Sequence, residues 1–158
     1  MNIMWAILSI KVENRPGILF KVTNLFRARN FNIDSLSVGV MENPEFSKMI
    51  ITTVGDEKQI AQIVKQLNKM IDTIEVIRLD EKNTVYKELV LFKIKLSESS
   101  DSDEINKLAN TYGAKIHNAQ KDSMIVELTA TPDEIKAFEE SIKPFGILDS
   151  ARTGVTAL

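Results

Sequence analysis

The stretch Val12-Glu13-Asn14-Arg15-Pro16-Gly17-Ile18-Leu19 joins a predicted strand to a predicted helix and decides the fold of the first half of the chain. Before it, apolar residues alternate between Met4 and Val12, a pattern typical of a half-buried strand. After it, apolar residues recur at helical spacing between Ile18 and Phe26. The amide, the proline and the glycine between these segments are residue types that favour a helix start.

The same turn is a candidate anion site. We expect Asn14 to accept hydrogen bonds from the first N–H groups of the helix, and Pro16 to occupy its first turn. Gly17 has no Cβ, so another group can approach the backbone there. A helix N-terminus offers N–H donors and the positive end of the helix dipole. On the local signal alone, however, a plain helix start is favoured over an anion site.

The composition limits the classes of function. The 158 residues are 44% hydrophobic and 27% charged, which is typical of one globular domain or two small ones. A net charge of −2 without a basic run argues against nucleic-acid binding. The absence of cysteine excludes disulfides, and a single histidine argues against a zinc site. No apolar run approaches the roughly 20 residues of a membrane span, and a signal peptide is not evident. We expect a cytoplasmic protein without a membrane partner.

The rest of the first half continues one order of elements. Asn30 is predicted to close the first helix, and two strands follow over residues 31–41 and 46–54. A capping box at Asp56 begins a second helix whose apolar face extends to Ile71, and residues 73–79 form a strand. This is the β-α-β-β-α-β order of a ferredoxin-like sandwich. Because residues 46–54 are apolar on both faces, we expect part of the outer sheet face to be covered.

The second half repeats that order after a polar junction at residues 80–85. It contains a strand over residues 86–96, a helix that stops at Gly113, a hairpin over residues 114–130, a helix that begins at Thr131 and a strand over residues 147–155. We therefore predict an α+β protein with tandem ferredoxin-like βαββαβ units, antiparallel sheets and helices on one face. The predicted domains are residues 1–80 and 84–158. The second unit has no counterpart of Asn-Arg-Pro-Gly, so we place any small-anion site in the first.

Catalytic residues are not evident in this sequence. His117 has no nucleophile motif around it, and the acidic clusters lie in helix first turns, where the dipole favours negative charge. We predict neither a catalytic nor a metal-binding residue. An RNA-recognition domain is rejected because residues 47–52 are aliphatic where stacking rings are needed. An acylphosphatase-like hydrolase, with Arg15 as a phosphate clamp, and a sensor that binds an amino-acid carboxylate both stay open.

A family resemblance favours the sensor. Residues 12–19 resemble the signature of ACT domains, the small-molecule sensor modules of amino-acid metabolism. Residues 25–39, 53–58 and 66–69 are similar to the continuation of that signature in the small, regulatory subunit of acetolactate synthase, and residues 151–154 resemble its closing motif. The likeness covers nearly the whole chain. Two departures are Asn30, where the family commonly has glycine, and an acidic loop over residues 97–103.

The resemblance implies a regulatory subunit that is not itself an enzyme. It implies a catalytic subunit as partner, which would carry thiamine diphosphate, magnesium and FAD, while this chain would need no cofactor of its own. The small subunit would stimulate that partner, confer feedback control by a branched-chain amino acid, typically valine, and form homodimers through its ACT domains. A free-standing amino-acid sensor stays an alternative.

The resemblance also implies an effector site in the first unit. Asn14, Gly17 and Asn32 match the positions that line this site in the family. The N–H groups at Gly17 and Ile18 would bind the effector carboxylate. Leu19 or Ile33 would form an apolar wall. Because the homodimer joins two ACT domains, the pocket is expected at the interface between subunits.

Overall fold

The chain folds into two α+β units in the computed structural model, which describes residues 2–158. The first unit comprises the chain up to Tyr86 together with Val155–Leu158, and the second comprises Lys87–Gly154. The expected domains, residues 1–80 and 84–158, differ from these units mainly in the last four residues. Those residues belong to the first unit.

The first unit has the predicted β-α-β-β-α-β order. The elements are β1 (Met4–Glu13), α1 (Ile18–Ala28), β2 (Ser35–Val40), β3 (Phe46–Gly55), α2 (Glu57–Leu67) and β4 (Thr73–Leu79). The four-stranded sheet is antiparallel with the strand order β2-β3-β1-β4, so β2 and β4 are the edge strands. The ferredoxin-like fold predicted for this half is confirmed.

One face of this sheet packs against both helices. Alternate residues of β1 and β3 point to this face, and they meet the apolar stripes of α1 and α2. Burial of each such side chain stabilises the fold by roughly 1.5–3 kcal/mol. The buried set is Ala6, Leu8, Ile10, Val12, Ile18, Val22, Phe26, Met49, Ile51, Ile60, Ile63 and Leu67.

The C-terminal residues cover part of the opposite face. Ile7 and Ile50 are buried there against Val155 and Ala157. The short strand β9 (Thr156–Ala157) follows a turn at Gly154, and backbone hydrogen bonds of 2.9 Å run in both directions between Val85 and Leu158. The expected cover on the outer face is thus confirmed. The predicted strand over residues 147–155 is instead interrupted, because the chain leaves the second unit at this turn.

The second unit repeats the same topology. The elements are β5 (Tyr86–Lys95), α3 (Asp101–Tyr112), β6 (Lys115–Ala119), β7 (Ser123–Ala130), α4 (Pro132–Ile142) and β8 (Ile147–Arg152). The strands follow the order β6-β7-β5-β8, and these pairings are antiparallel. Phe138 lies at the centre of the core of this unit, with ring centroids 6.0 Å from Phe92 and 5.3 Å from Tyr112.

Within residues 2–158, no helix is long and apolar enough to cross a membrane.

Several predicted helix ends are confirmed. Asp56 and Thr131 each form a capping box at the start of α2 and α4. Asn30 adopts the left-handed backbone conformation (φ 57°) just after α1, and the N–H of Phe31 donates to the carbonyl of Phe26 as in a Schellman motif. The extension of the α2 face to Ile71 is wrong. Tight turns end that helix at Leu67, and Ile71 is 96% exposed.

The capping box of α4 makes the stability of the second unit depend on pH. Hydrogen bonds from Thr131 lower the pKa of Glu134, with a smaller contribution from Lys87. A carboxyl whose pKa is lower in the folded state stabilises the fold above its unfolded-state pKa, and this stabilisation fades as the pH falls through the folded-state pKa. Glu134→Gln keeps a side chain that can form the box but removes the charge.

We expect Glu134→Gln to unfold at lower urea concentration than the parent chain at pH 7, and the difference to shrink as the pH falls below about 4. Urea denaturation followed by circular dichroism at several pH values measures this. The exposed carboxylate of Asp133, in the same first turn, gives the matched control Asp133→Asn. A difference between Glu134→Gln and the parent that is the same at every pH would contradict the assignment.

Candidate functional site

The N-terminus of α1 differs from those of the other three helices. Gly17 occupies the N-cap position with φ 85°, and neither a side-chain cap nor an acidic residue in the first turn accompanies it. The other three helices carry acidic residues in their first turns. The expectation that Asn14 caps α1 is therefore wrong. Among the described α-helices, α1 alone presents its positive end without an acidic residue in its first turn.

Asn14 instead ties the β1–α1 loop to the turn between β2 and β3. Its Nδ2 donates to the carbonyl of Pro44 at 2.9 Å, and its Oδ1 accepts from the hydroxyl of Ser47 at 3.1 Å. Its backbone N–H donates to the backbone carbonyl of Glu45 at 2.7 Å. The cause is that β1 stays paired with β3 up to Glu13, which carries Asn14 toward that turn and away from the helix. An amide can make four hydrogen bonds, so capacity remains for a ligand.

Three backbone donors at the start of α1 face no acceptor in the described part of the chain. They are the N–H groups of Gly17, Leu19 and Phe20. The N–H of Ile18 donates to the carbonyl of Arg15 at 3.4 Å, and the side chain of Ile18 lies in the core with 3% exposure. The N–H groups that are available thus lie on either side of Ile18. Of the two donors expected for the effector carboxylate, Gly17 is available and Ile18 is not. Leu19 is exposed, as an apolar wall for a ligand requires.

Gly17 is required by backbone conformation and not by crowding. Its φ of 85° lies in the left-handed region, which side chains with a Cβ rarely adopt. A Cβ built at this position would meet no heavy atom within 4 Å. The space beside the helix start is thus open to a small molecule.

Asn32 and Ile33 lie beyond the opposite end of the same helix. Because α1 has 11 residues, its two ends are separated by about 16 Å. Asn32 and Ile33 line a cavity of about 400 Å³, and neither Asn14 nor Gly17 contributes to it. The predicted site residues of one chain therefore fall into two groups, one at each end of α1. The other residues lining the cavity are Thr23, Phe26, Arg27, Asn30 and Phe31.

The loop that carries Asn32 is attached to the core of the first unit. The carbonyl of Asn32 accepts a hydrogen bond from the hydroxyl of Thr53 at 2.6 Å, and Thr53 is fully buried. The side-chain amide of Asn32 donates to Asp34 at 3.1 Å and is itself exposed. The backbone is thus fixed while the amide faces solvent, where a ligand can reach it.

Arg15 lies in the loop between β1 and α1. The guanidinium of Arg15 lies 3.0 Å from the carboxylate of Glu13 and is 70% exposed, so its charge is already paired, which argues against a phosphate clamp.

Phe20 was missed in the sequence analysis. Counting three residues from the N-cap at Gly17 would have identified its N–H as a free donor. Phe20 is 72% exposed and also lines a separate groove of about 600 Å³ between α1 and the loop after α2.

Comparison with known proteins decides the family. Residues 8–75 match the model of the AHAS small subunit-like ACT domain, and residues 87–158 match the model of the small subunit of acetolactate synthase. A probable acetolactate synthase small subunit of Archaeoglobus fulgidus is 40% identical over 151 residues, which cover 96% of this chain and 94% of the relative. This chain belongs to the acetolactate synthase small-subunit family.

Other members of the family agree in sequence and in fold. The acetolactate synthase small subunit of Bacillus subtilis is 37% identical over 155 residues, covering 98% of this chain and 90% of the relative. The crystal structure of the acetolactate synthase small subunit of Thermotoga maritima superposes with a TM-score of 0.90 at 34% identity, covering 98% of this chain and 96% of that one. The resemblance inferred from the sequence is confirmed, and it includes the second unit despite its acidic loop.

The conformation of Gly17 predicts a stability effect in this small subunit. Gly17→Ala should lower the free energy of unfolding by about 1 kcal/mol or more, because alanine is strained at positive φ, and Gly17→Asn should lower it less. Urea denaturation measures both. Gly39→Ala is the control, since Gly39 lies in β2 without positive φ and with open space around it. Equal stability of Gly17→Ala and Gly39→Ala would refute the need for glycine at position 17.

Proposed function

We propose that this chain is the regulatory subunit of acetolactate synthase. It stimulates the catalytic subunit and makes it sensitive to a branched-chain amino acid, with valine as the first candidate. The observation that carries the proposal is the start of α1, which keeps three backbone N–H donors open within an ACT domain of this family. The chain itself performs no catalysis. Thiamine diphosphate, magnesium and FAD are expected on the catalytic subunit.

Recognition of an amino acid requires groups for its charged ends and for its side chain. The N–H groups of Gly17, Leu19 and Phe20 suit the carboxylate, since hydrogen bonds to a charged acceptor contribute about 1.5–3 kcal/mol each. The amides of Asn14 and Asn32 have acceptor oxygens for the ammonium group. Leu19 and the partly buried Ile33 supply apolar surface for an aliphatic side chain, which favours valine, leucine or isoleucine over a polar amino acid.

The separation of the site residues into two groups, which we name half-sites, supports a homodimer. Asn14 and Gly17 lie about 16 Å from Asn32 and Ile33 along α1, too far to contact one small amino acid. We propose that the helix start of one protomer meets the loop after α1 of its partner, which gives two equivalent sites in an isologous dimer. The edge strand β2 supports this arrangement, because it leaves Val38 and Val40 exposed and its outer backbone groups unpaired within the sheet.

Such a site also explains how control is exerted. An amino acid that contacts two protomers binds more tightly to the dimer geometry in which both half-sites reach it. The difference in affinity between geometries is the free energy that is available to change the catalytic subunit. The effector therefore alters activity only to the extent that the catalytic subunit distinguishes those geometries.

Gly17→Asp tests the carboxylate site. The new carboxylate would lie beside the open N–H groups and repel the effector carboxylate, so we expect valine binding and feedback inhibition to be lost while stimulation of the catalytic subunit is retained. Gly17→Asn is the matched control, because it has nearly the same size without the charge. Calorimetric titration of valine, leucine and isoleucine, with and without the catalytic subunit, measures the effect.

Full valine sensitivity of Gly17→Asp would place the pocket elsewhere. Binding of valine by a chain that does not associate with the catalytic subunit in a pull-down would favour a free-standing amino-acid sensor.

A mixed dimer tests whether the half-sites of two protomers combine. Gly17→Asp and Asn32→Ala should each abolish tight valine binding in their own homodimers. In a dimer of one Gly17→Asp chain with one Asn32→Ala chain, one site combines both defects and the other has neither. We expect binding with half the parental stoichiometry in differently tagged, co-purified mixed dimers. No binding at all in the mixed dimer would mean that each site is formed within one chain.

A further inference from the structure

Two adjacent buried threonines in β3 have a role that the family resemblance did not explain. Thr52 is 1% exposed and Thr53 is 0% exposed, in a strand that is otherwise rich in apolar residues. Neighbouring residues of a strand point to opposite faces, so one hydroxyl serves each face of the sheet. Thr53 donates to the carbonyl of Asn32 at 2.6 Å, and the hydroxyl oxygens of Thr52 and Ser35 lie 2.7 Å apart. Both threonines thus hold the segment that follows α1.

Ser35 connects this segment to the C-terminus of the chain. Its Oγ accepts a hydrogen bond from the backbone N–H of Val155 at 3.2 Å, so its own hydroxyl hydrogen is available for Thr52. Val155 is 2% exposed, and it packs with Ala157 against Ile7 and Ile50. The serine hydroxyl therefore bridges a central strand and a buried C-terminal residue that is 120 positions away in the sequence.

The segment over residues 31–34 is held by the packing of Phe31 and Ile33 against the core and, at its backbone, by few hydrogen bonds, because it is not part of a strand. β2 begins only at Ser35, so the attachments of the segment to β3 are the bond from Thr53 to Asn32 and the bond from the N–H of Asp34 to the carbonyl of Thr52 at 2.9 Å. We name residues 31–34 the effector loop. Its end is fixed at Ser35, which is where the C-terminal residues make contact.

We propose that Ser35 is a positioning residue for the effector loop, and that Val155–Leu158 hold it in place as part of the effector-site scaffold. The inference rests on the proposed function, because it assigns the effector loop to the binding of an amino acid. Release of Val155 would leave Ser35 with one hydrogen bond fewer and would uncover Ile7 and Ile50. By linkage, an effector that orders the loop also stabilises the C-terminal segment on the sheet.

The connection makes the C-terminal segment a point of control. Val155 follows Gly154, the last residue of the second unit, so a displacement at the end of that unit reaches Ser35 through one backbone connection. An isolated first unit that ends near Tyr86 lacks the segment altogether.

Ser35→Ala in the full-length chain tests the proposal. We expect faster amide exchange in residues 31–35 of the free protein and a valine Kd that is raised about fivefold, the equivalent of one hydrogen bond of about 1 kcal/mol. Thr52→Val removes the same hydroxyl pair from the other side and should act alike. Ser37→Ala is the matched control, because Ser37 is half-buried two residues along the same strand.

Four outcomes separate the possibilities. Parental exchange rates and a parental Kd in Ser35→Ala would overturn the proposal, and so would equal effects of Ser35→Ala and Ser37→Ala. If the parental chain binds none of valine, leucine and isoleucine, the proposed function fails, and the exchange rates alone still decide whether Ser35 fixes the loop. A chain that ends at Gly154 should reproduce the faster exchange over residues 31–35. If its loop exchanges at the parental rate, the C-terminal segment is not part of the scaffold.

Discussion

The left-handed backbone at Gly17 is the constraint on which the rest of the first unit depends. It turns the chain from the extended path of β1 into α1 within a few residues, and both elements are buried against the same core. A turn made in this way has no side chain at its N-cap to satisfy the helix donors. Gly17, Leu19 and Phe20 are exposed, so their N–H groups are available to an anion. The requirement for a compact turn and the capacity to bind therefore have the same origin.

The second unit has the same topology, but its helices have acidic residues in their first turns. Its first helix, α3, begins after an acidic loop, and the carboxylate of Asp101 accepts hydrogen bonds from the N–H groups of Ser97 at 2.6 Å and Glu98 at 2.9 Å. Its second helix is closed by the reciprocal hydrogen bonds of Thr131 and Glu134. The helix starts of this unit thus already have a carboxylate from their own chain. Two units of the same fold differ in whether the negative charge at a helix start is built in or must come from outside.

Local signals predicted much of this structure. The bounds of β4, the caps at Asp56 and Thr131 and the left-handed Asn30 follow from residue types that act on their nearest neighbours. Gly17 was identified in the same way.

The errors have a common cause, because each depends on contacts distant in sequence. Asn14 is drawn to Pro44 and Ser47 across 30 and 33 positions, which no helix-capping rule can anticipate. Ile71 fits the helical period but follows the turn that ends α2. The last strand appeared continuous in the sequence, yet its final residues have their apolar partners in the first unit. The residues that line the candidate site could be named from the sequence. Which backbone N–H groups lack an acceptor depends on the folded path of the chain and could not.

The position of Val155–Leu158 in the first unit has a consequence for biosynthesis. These residues are synthesised after the whole second unit, yet they cover Ile7 and Ile50, which are synthesised before it. The helix side of the first unit can assemble while translation of the second unit continues, but this part of the outer sheet face stays open until Val155–Leu158 have been synthesised. Completion of the first unit thus waits for synthesis of the second, and a chain that terminates before Val155 leaves the apolar surface of Ile7 and Ile50 exposed.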